Sequence, residues 1–252
     1  MMKLADHFNI NRFLQLLRME LHRSRKGILI TFVVIFDLLI LGFIMESIFG
    51  YQKVCNSHPV AYTVALLAGG FILSSLAFHD LGNALKRHNY LMLPASAFEK
   101  FLSMWLLTCV CWVVAFTLLF IIFAAGVNSL GHLFFSDKTY VAFDVFGKLP
   151  LTAIKYYVVT QGIFLAGAVH FRGYVLPKTL LSVLLLGMVC GIIFYFTMSD
   201  LFRTHVEFID QYSKMTGTPL YTLWLVLKWI FWWMLAPLCW VITYTGLKEQ
   251  EV

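Results

Sequence analysis

Long apolar stretches, separated by short polar segments, dominate the chain. They lie at about 28–49, 60–80, 101–125, 150–170, 178–198 and 221–246. At a rise of about 1.5 Å per residue, a helix of this length crosses a hydrocarbon core about 30 Å thick. The pattern therefore predicts an all-α integral membrane protein with six transmembrane helices and no separate soluble domain.

The segment that precedes the first apolar stretch has an amphipathic pattern. Its apolar positions, at helical spacing, are Phe13, Leu14, Leu17 and Leu21. The basic residues lie largely elsewhere on the helix, so the apolar side can face acyl chains while the charges meet anionic headgroups. This pattern predicts a cytoplasmic amphipathic interfacial helix over residues 1–27, followed by one transmembrane domain over residues 28–252.

Composition and charge support a membrane environment. Apolar residues make up 60% of the chain and charged residues 13%, whereas soluble domains are about half apolar and a quarter charged. The formal net charge is +6, but the basic residues flank apolar stretches and form no continuous stripe. This distribution favours anionic membrane lipids as partners and argues against nucleic acid.

The orientation in the membrane follows from the distribution of Lys and Arg. One side of the predicted bundle, which includes both termini, carries 12 of these residues and the other side carries 7. Because basic residues concentrate in cytoplasmic loops, we expect both termini in the cytoplasm. The first apolar stretch lacks a small-residue cleavage signature, so we expect it to remain as a signal anchor.

Common catalytic and nucleotide-binding motifs are absent from the sequence. It contains no G-x-x-x-x-G-K-[ST] phosphate loop, no H-E-x-x-H, no C-x-x-C and no G-x-S-x-G. These motifs supply the phosphate cradle, the metal ligands or the nucleophile of the corresponding enzymes. We therefore expect no enzyme activity, no metal site and no cofactor in this chain.

Asp37 is the polar residue nearest the middle of the first predicted span. A carboxylate at this depth costs about 2.5–3.5 kcal/mol on insertion scales, so it needs a partner, water or a proton. Two interpretations remain open. Asp37 either lies on a translocation path or couples helices, or it is a protonated or hydrogen-bonded carboxyl group that only orients the first helix.

The loop between the second and third spans is the most informative cytoplasmic segment. It begins with a short polar helix that carries Lys86, Arg87 and His88, and continues through Leu93-Pro-Ala-Ser96 into the next helix. Pro94 suits the beginning of a helical turn. The charged residues, which also include Glu99 and Lys100, predict a surface that a soluble partner can bind.

This layout resembles the permease subunits of type-2 ATP-binding-cassette (ABC) exporters. The resemblance rests on the basic amphipathic N-terminal helix, the six spans and the stretch Leu93-Pro-Ala-Ser-Ala-Phe-Glu-Lys-Phe-Leu102. Permeases of this family have a leucine-proline-small-serine stretch, followed by lysine and leucine, in the same loop. In layout the resemblance covers most of the chain, but in motif it covers only about ten residues.

The resemblance implies partners and contact residues. In that family the loop contains a coupling helix that binds the nucleotide-binding subunit, and two permease halves surround the substrate path. It therefore implies a separate ATPase that holds ATP and Mg, and a second permease copy or a related permease. The implied ATPase contacts are Lys86, Arg87, His88, Tyr90, Leu91, Phe98, Glu99 and Lys100.

Three functions remain open at this point. The first is an exporter permease in a cell membrane, most simply the bacterial inner membrane, for an amphipathic, lipid-like, peptide or polysaccharide substrate. The second is a membrane scaffold or sensor that docks a soluble partner without transport. The third is an intramembrane enzyme that acts on lipid through Asp37 or His79, although no set of acid, base and nucleophile converges around either residue.

Overall fold

The structure, a computed structural model, describes residues 9–49, 54–55, 57–82, 84–93, 95–134, 139–202 and 219–251. Its helices are α1 (Ile10–Phe49), α2 (His58–Leu76), α3 (Ala84–Leu91), α4 (Ala97–Trp105), α5 (Trp112–Phe134), α6 (Lys148–His170), α7 (Val175–Phe202) and α8 (Pro219–Glu251). A 3₁₀ turn at His79–Gly82 lies between α2 and α3, and a π-helical segment, Leu106–Cys111, joins α4 to α5. The fold is therefore predominantly α-helical, as the sequence predicts.

Four helical segments within the described residues are long and apolar enough to cross a membrane. They are Ile10–Phe49, His58–Leu76, Ala97–Phe134 and Lys148–His170. Three of them contain the first, third and fourth apolar stretches predicted from the sequence, whereas the second helix ends at Leu76, before the predicted end at residue 80. The four helices support the all-α membrane class. The full number of spans and the side of the membrane on which the termini lie stay predictions.

The N-terminal segment differs from its prediction. Residues 10–27 do not form an element of their own, because α1 continues without interruption from Ile10 to Phe49 over 40 residues. At about 1.5 Å per residue this helix is about 60 Å long, twice the thickness of a hydrocarbon core. The amphipathic segment is thus continuous with the helix of the first predicted span and precedes it, and its buried side chains, including Phe13, Leu16 and Glu20, pack within the protein.

Two short strands connect loops that are far apart in the sequence. Strand β1 (Val54–Cys55) pairs in parallel with β2 (Thr139–Tyr140). Tyr140 is buried, and its ring packs edge-on against His132 and near Phe43. The connection before α6 is shorter than the predicted loop 126–149, because α5 continues to Phe134.

The main hydrophobic cluster lies between α1, α2, α5 and α6. It is rich in aromatic side chains, and its fully buried members include Tyr62, Phe116, Phe120 and Tyr157. The ring of Phe120 packs edge-on against Tyr62 with centroids 5.2 Å apart. Because lipid tails are as apolar as these side chains, close packing contributes much of the helix association.

The π-helical segment has hydrogen-bond partners on α6. A π-helix shifts the backbone hydrogen-bond register, and such segments occur often at functional sites. The hydroxyl of Tyr157 donates to the carbonyl of Thr108 at 2.5 Å, and Gln161 Nε2 donates to the Thr108 hydroxyl at 2.8 Å. All three residues are buried. The two α6 side chains therefore hold Thr108 of the π-helix in place.

Replacing Tyr157 with phenylalanine tests this role. The change removes the donor to the Thr108 carbonyl, and we expect a loss of about 1 kcal/mol in the free energy of unfolding. Unfolding of the purified protein by SDS in mixed micelles measures the loss. Tyr156→Phe, at an exposed position of the same helix, is the matched control and should leave the stability unchanged.

Candidate functional site

The loop between α2 and α4 packs onto the bundle end that the sequence predicts to be cytoplasmic. A second hydrophobic cluster attaches it there, through Phe78, Leu81 and Tyr90 on the loop side. These residues pack with the ends of α6, α7 and α8, where Val169, Val175 and Leu247 are also buried. The loop is therefore a packed part of the fold.

The start of α4 is fixed by a capping box. Ser96 accepts a hydrogen bond from the backbone N–H of Glu99 at 3.2 Å, and Glu99 Oε2 accepts one from the N–H of Ser96 at 2.9 Å. This exchange satisfies two backbone donors that a helix N-terminus leaves without partners. The Ser-x-x-Glu spacing in the sequence is thus used to begin a helix.

Glu99 also links the loop to α1. Its Oε1 accepts hydrogen bonds from Arg12 Nη2 at 2.8 Å, from Arg12 Nε at 3.2 Å and from the backbone N–H of Asn9 at 3.0 Å. Glu99 precedes the apolar stretch of its helix, and it is fully buried whereas the Arg12 side chain is 27% exposed. Burial alone would raise the pKa of Glu99, but these hydrogen bonds and the Arg12 charge hold it below its usual value.

A second group of charges joins α1 to the 3₁₀ turn and to α3. Arg23 Nε lies 3.2 Å from Asp80 Oδ2, and Lys86 Nζ lies 3.8 Å from Asp80 Oδ1. The guanidinium also lies 3.8 Å from Glu20 and 5.9 Å from the ring centroid of Tyr90. Two cations thus share Asp80, and the loop is tied to α1 at a second point.

Glu20 is fully buried, and within the described part of the chain neither of its carboxylate oxygens has a hydrogen-bond partner. It lies on α1 before the apolar stretch that begins at residue 28. Burial raises the pKa of Glu20 from 4.5 to about 7, Arg23 opposes this increase and Asp80 adds to it. Glu20 therefore holds its proton well above the pH at which an exposed glutamate loses it.

The raised pKa makes the stability of the protein depend on pH. Between about pH 4.5 and 7 the folded state binds a proton at Glu20 that the unfolded state has lost, so stability should fall as the pH rises through this range. We expect a decrease of about 2–3 kcal/mol in the wild type and a much smaller one in Glu20→Gln. Thermal unfolding between pH 5 and 8 measures both, and equal pH profiles would contradict the prediction.

The predicted partner-contact residues fall into two groups. Lys86, His88 and Phe98 are exposed, and Arg87 is partly exposed. Tyr90, Glu99 and Lys100 are buried inside the chain, with Lys100 only 1% exposed and its ammonium 5.7 Å from the Tyr90 ring centroid. The side chain of Leu91 lies outside the described atoms.

This division bears on the sequence interpretation. Tyr90, Glu99 and Lys100 are buried within the chain and present almost no surface to a soluble partner in this conformation, and their contact with an ATPase stays a prediction. Glu99 and Tyr90 attach this part of the chain to the N-terminal helix, because Arg12 pairs with Glu99 and Arg23 lies over the Tyr90 ring. The surface available for docking is the exposed side of α3, together with Phe98.

Asp37 points away from the bundle. Its side chain is exposed on α1, next to exposed apolar residues such as Val34 and Leu38. Within the described part of the chain it has no hydrogen-bond or ion-pair partner. A carboxyl group in an apolar stretch still needs a proton or a partner, and the described residues supply no partner.

A cavity of about 400 Å³ lies beside the charged group. Its polar wall includes Arg23, Asp80 and Lys86, and its apolar wall includes Phe32 and Trp112. The rings of Phe32 and Trp112 pack with centroids 5.0 Å apart. The π-helical segment contributes Leu107, Thr108 and Cys111 to the wall. The cavity is therefore bordered by α1, by the segment after α2 and by the π-helical segment.

Sequence reasoning missed the residues that organise this site. The amphipathic pattern predicts lipid headgroups as the partners of all basic residues in the N-terminal segment, Arg12 and Arg23 included, and gives Glu20 no role. The available signal was one acidic residue, Glu20, on the buried side of a basic segment, at the same spacing as Phe13 and Leu16. Arg12 and Arg23 pair with Glu99 and Asp80, which follow α2 in the chain. Local spacing within the N-terminal segment therefore cannot identify these pairs.

Comparisons of the chain with protein-family models, with curated proteins and with solved structures give no match.

Proposed function

We propose that this chain is the transmembrane permease subunit of an ABC exporter. ATP binding and hydrolysis take place in a separate ATPase subunit, and the permease pairs with a second copy of itself or with a related permease. The chain crosses a cell membrane, most simply the bacterial inner membrane, six times with both termini in the cytoplasm. Its substrate is an amphipathic, lipid-like, peptide or polysaccharide compound.

The observation that carries this proposal is the attachment of the segment around α3 to α1 on both sides of α3, at the 3₁₀ turn before it and at the start of α4 after it. One attachment is the Arg12–Glu99 ion pair and the other is the Arg23–Asp80 ion pair. Because α1 continues into the first predicted span, a displacement of the exposed side of α3 is transmitted directly to a transmembrane helix. An ATP-driven exporter requires such a connection between a docking element and a helix that moves.

A pull-down from native cells in mild detergent tests the proposal. We expect a nucleotide-binding subunit to co-purify in stoichiometric amount and to hydrolyse ATP in the complex. Arg87→Glu combined with His88→Glu reverses or adds charge on the accessible side of α3. This variant should lose at least about nine-tenths of the bound ATPase, since a misplaced charge at an interface costs several kcal/mol.

Lys248→Glu, at an exposed position near the end of α8, is the matched charge control and should retain the ATPase. Recovery of the chain with no nucleotide-binding subunit would refute the permease proposal. Recovery of a soluble protein without ATPase activity, lost in the α3 variant, would favour the scaffold function instead.

Asp37 supplies a test of pairing between permeases. Its position on the outer side of α1 suits a contact with the second permease, where a hydrogen-bonded carboxyl group couples the two helices. Asp37→Leu should lower the dimer fraction in detergent about threefold to tenfold. Leu38→Ala, at the neighbouring exposed position, is the control. An unchanged dimer fraction in Asp37→Leu would exclude this coupling role.

A further inference from the structure

We propose that the cavity beside α1 binds one acyl chain of an amphiphile with a phosphate headgroup, whose phosphate contacts Arg23 and Lys86. This assignment concerns binding within a single chain and does not depend on an ATPase partner. It rests on the shape of the cavity, on the order of charges at its mouth and on an open position at Gly27.

The cavity has the size and polarity of a site for an amphiphile. Its volume of about 400 Å³ falls within the range of about 300–1,000 Å³ for small-molecule sites. Along α1 its wall extends from Glu20 to Phe32, a distance of about 18 Å at the helical rise. The charged lining residues include Arg23, Asp80 and Lys86, and further along α1 the rings of Phe32 and Trp112 give the wall an apolar surface. A chain of methylene groups fits this apolar depth, because burying each one is favourable by the hydrophobic effect.

The charges at the mouth select the headgroup. The Lys86 and Arg23 side chains are 56% and 40% exposed, whereas Asp80 is 19% exposed and Glu20 is fully buried. A headgroup that enters the cavity therefore meets the two cations before it meets either carboxylate. A guanidinium has five N–H donors and an ammonium has three, so both retain donors beyond their contacts with Asp80. Phosphate oxygens are strong acceptors for such donors.

The carboxylates behind the cations hold them in place. Asp80 lies within 4 Å of both Arg23 and Lys86, and Glu20 lies 3.8 Å from the same guanidinium. This arrangement fixes the cations before a ligand arrives and reduces the ordering cost of binding. His79, 65% exposed at the same mouth, adds a further donor on the cavity wall.

Gly27 provides a way to fill the cavity without disturbing the fold. It lies in the cavity wall, and a Cβ atom built on it has no other atom within 4 Å. Gly42, on the same helix and outside the cavity wall, has the same open surroundings. Leucine has a higher helix propensity than glycine, so neither substitution should weaken α1. Only leucine at position 27 occupies the space assigned to the acyl chain.

The test measures binding to the purified full-length chain by native mass spectrometry in detergent. The probes are 1-oleoyl lysophosphatidate, 1-oleoyl glycerol with the same chain and no phosphate, and inorganic phosphate alone. We expect lysophosphatidate to bind one per chain and at least about tenfold more tightly than the neutral lipid. Inorganic phosphate alone should not displace it at equal concentration.

Two pairs of variants locate the site. Gly27→Leu should weaken lysophosphatidate binding at least about tenfold, and Gly42→Leu should change it less than twofold. Lys86→Gln should weaken it about tenfold, while Lys248→Gln, at an exposed position on α8, should not. Equal binding by Gly27→Leu and Gly42→Leu would overturn the proposal. Equally tight binding of the neutral lipid would overturn the headgroup assignment, and displacement by phosphate alone would show a free-phosphate site in its place.

Discussion

Replacing Glu99 with glutamine is expected to lower the free energy of unfolding by about 2–4 kcal/mol. Glu99 is fully buried and accepts hydrogen bonds from Arg12, from the backbone of Asn9 and from the backbone of Ser96. Glutamine keeps the size of the side chain but removes its charge, and its amide nitrogen can only donate. The substitution thus leaves at least one donor without an acceptor and Arg12 without its counter-ion.

SDS titration of the purified protein in mixed micelles measures this loss. A double-mutant cycle with Arg12→Gln should give a coupling energy of about 1–3 kcal/mol, because the two side chains act on each other directly. Glu249→Gln, at an exposed position near the end of α8, should cost less than about 0.5 kcal/mol. A Glu99→Gln protein as stable as the wild type would show that the loop is held to the bundle by other contacts.

Replacing Gly70 with alanine is the second substitution with a large expected effect, about 2–3 kcal/mol. Gly70 is buried on α2, and a Cβ atom added there would overlap the aromatic ring of Tyr157 on α6. That ring cannot move away at low cost, because it is fully buried and its hydroxyl donates to the Thr108 carbonyl. The added methyl group must therefore separate α2 from α6 or break the hydrogen bond to the π-helix.

Gly126→Ala is the matched control for this prediction. Gly126 lies inside α5, and a Cβ atom added there has no other atom within 4 Å. Alanine should stabilise this helix by about 0.5–1 kcal/mol, since glycine loses more backbone entropy on folding. Opposite signs for the two glycines, measured by SDS titration, are the expected result. A stabilising effect at position 70 would contradict the close packing of α2 on α6.

The Arg12–Glu99 and Arg23–Asp80 ion pairs attach the segment after α2 to α1. The composition of this segment does not reveal that structural role. A charged segment at a membrane border is typical of a solvated docking surface, and Glu99 with Lys100 fits that description. In the structure both side chains are buried: Glu99 pairs with Arg12, and the Lys100 ammonium lies over the ring of Tyr90. Substitutions at Glu99 or Lys100 would consequently report on stability and not on partner binding. The accessible side of α3, with Lys86 and His88, is the place to test docking.

The sequence by itself determined the membrane class of this protein and the location of its long apolar helices. Both follow from local properties, because twenty consecutive apolar residues must satisfy their backbone hydrogen bonds within a helix when they enter lipid. The sequence also placed a helix entry after Leu93-Pro-Ala-Ser96, and α4 begins there with Ser96 as its N-cap. The position of Asp37 within the first apolar stretch was also evident from the sequence.

Only the tertiary structure decided which charges are paired and where the cavity lies. Arg12 and Glu99 are 87 residues apart in the chain, and Arg23 meets Asp80 only because the N-terminal part of α1 packs beside the loop after α2. The π-helix likewise depends on donors from α6. Hydrophobic length and periodicity are properties of one segment, whereas the partner of a buried charge depends on which helices pack together, and one sequence read segment by segment does not contain that information.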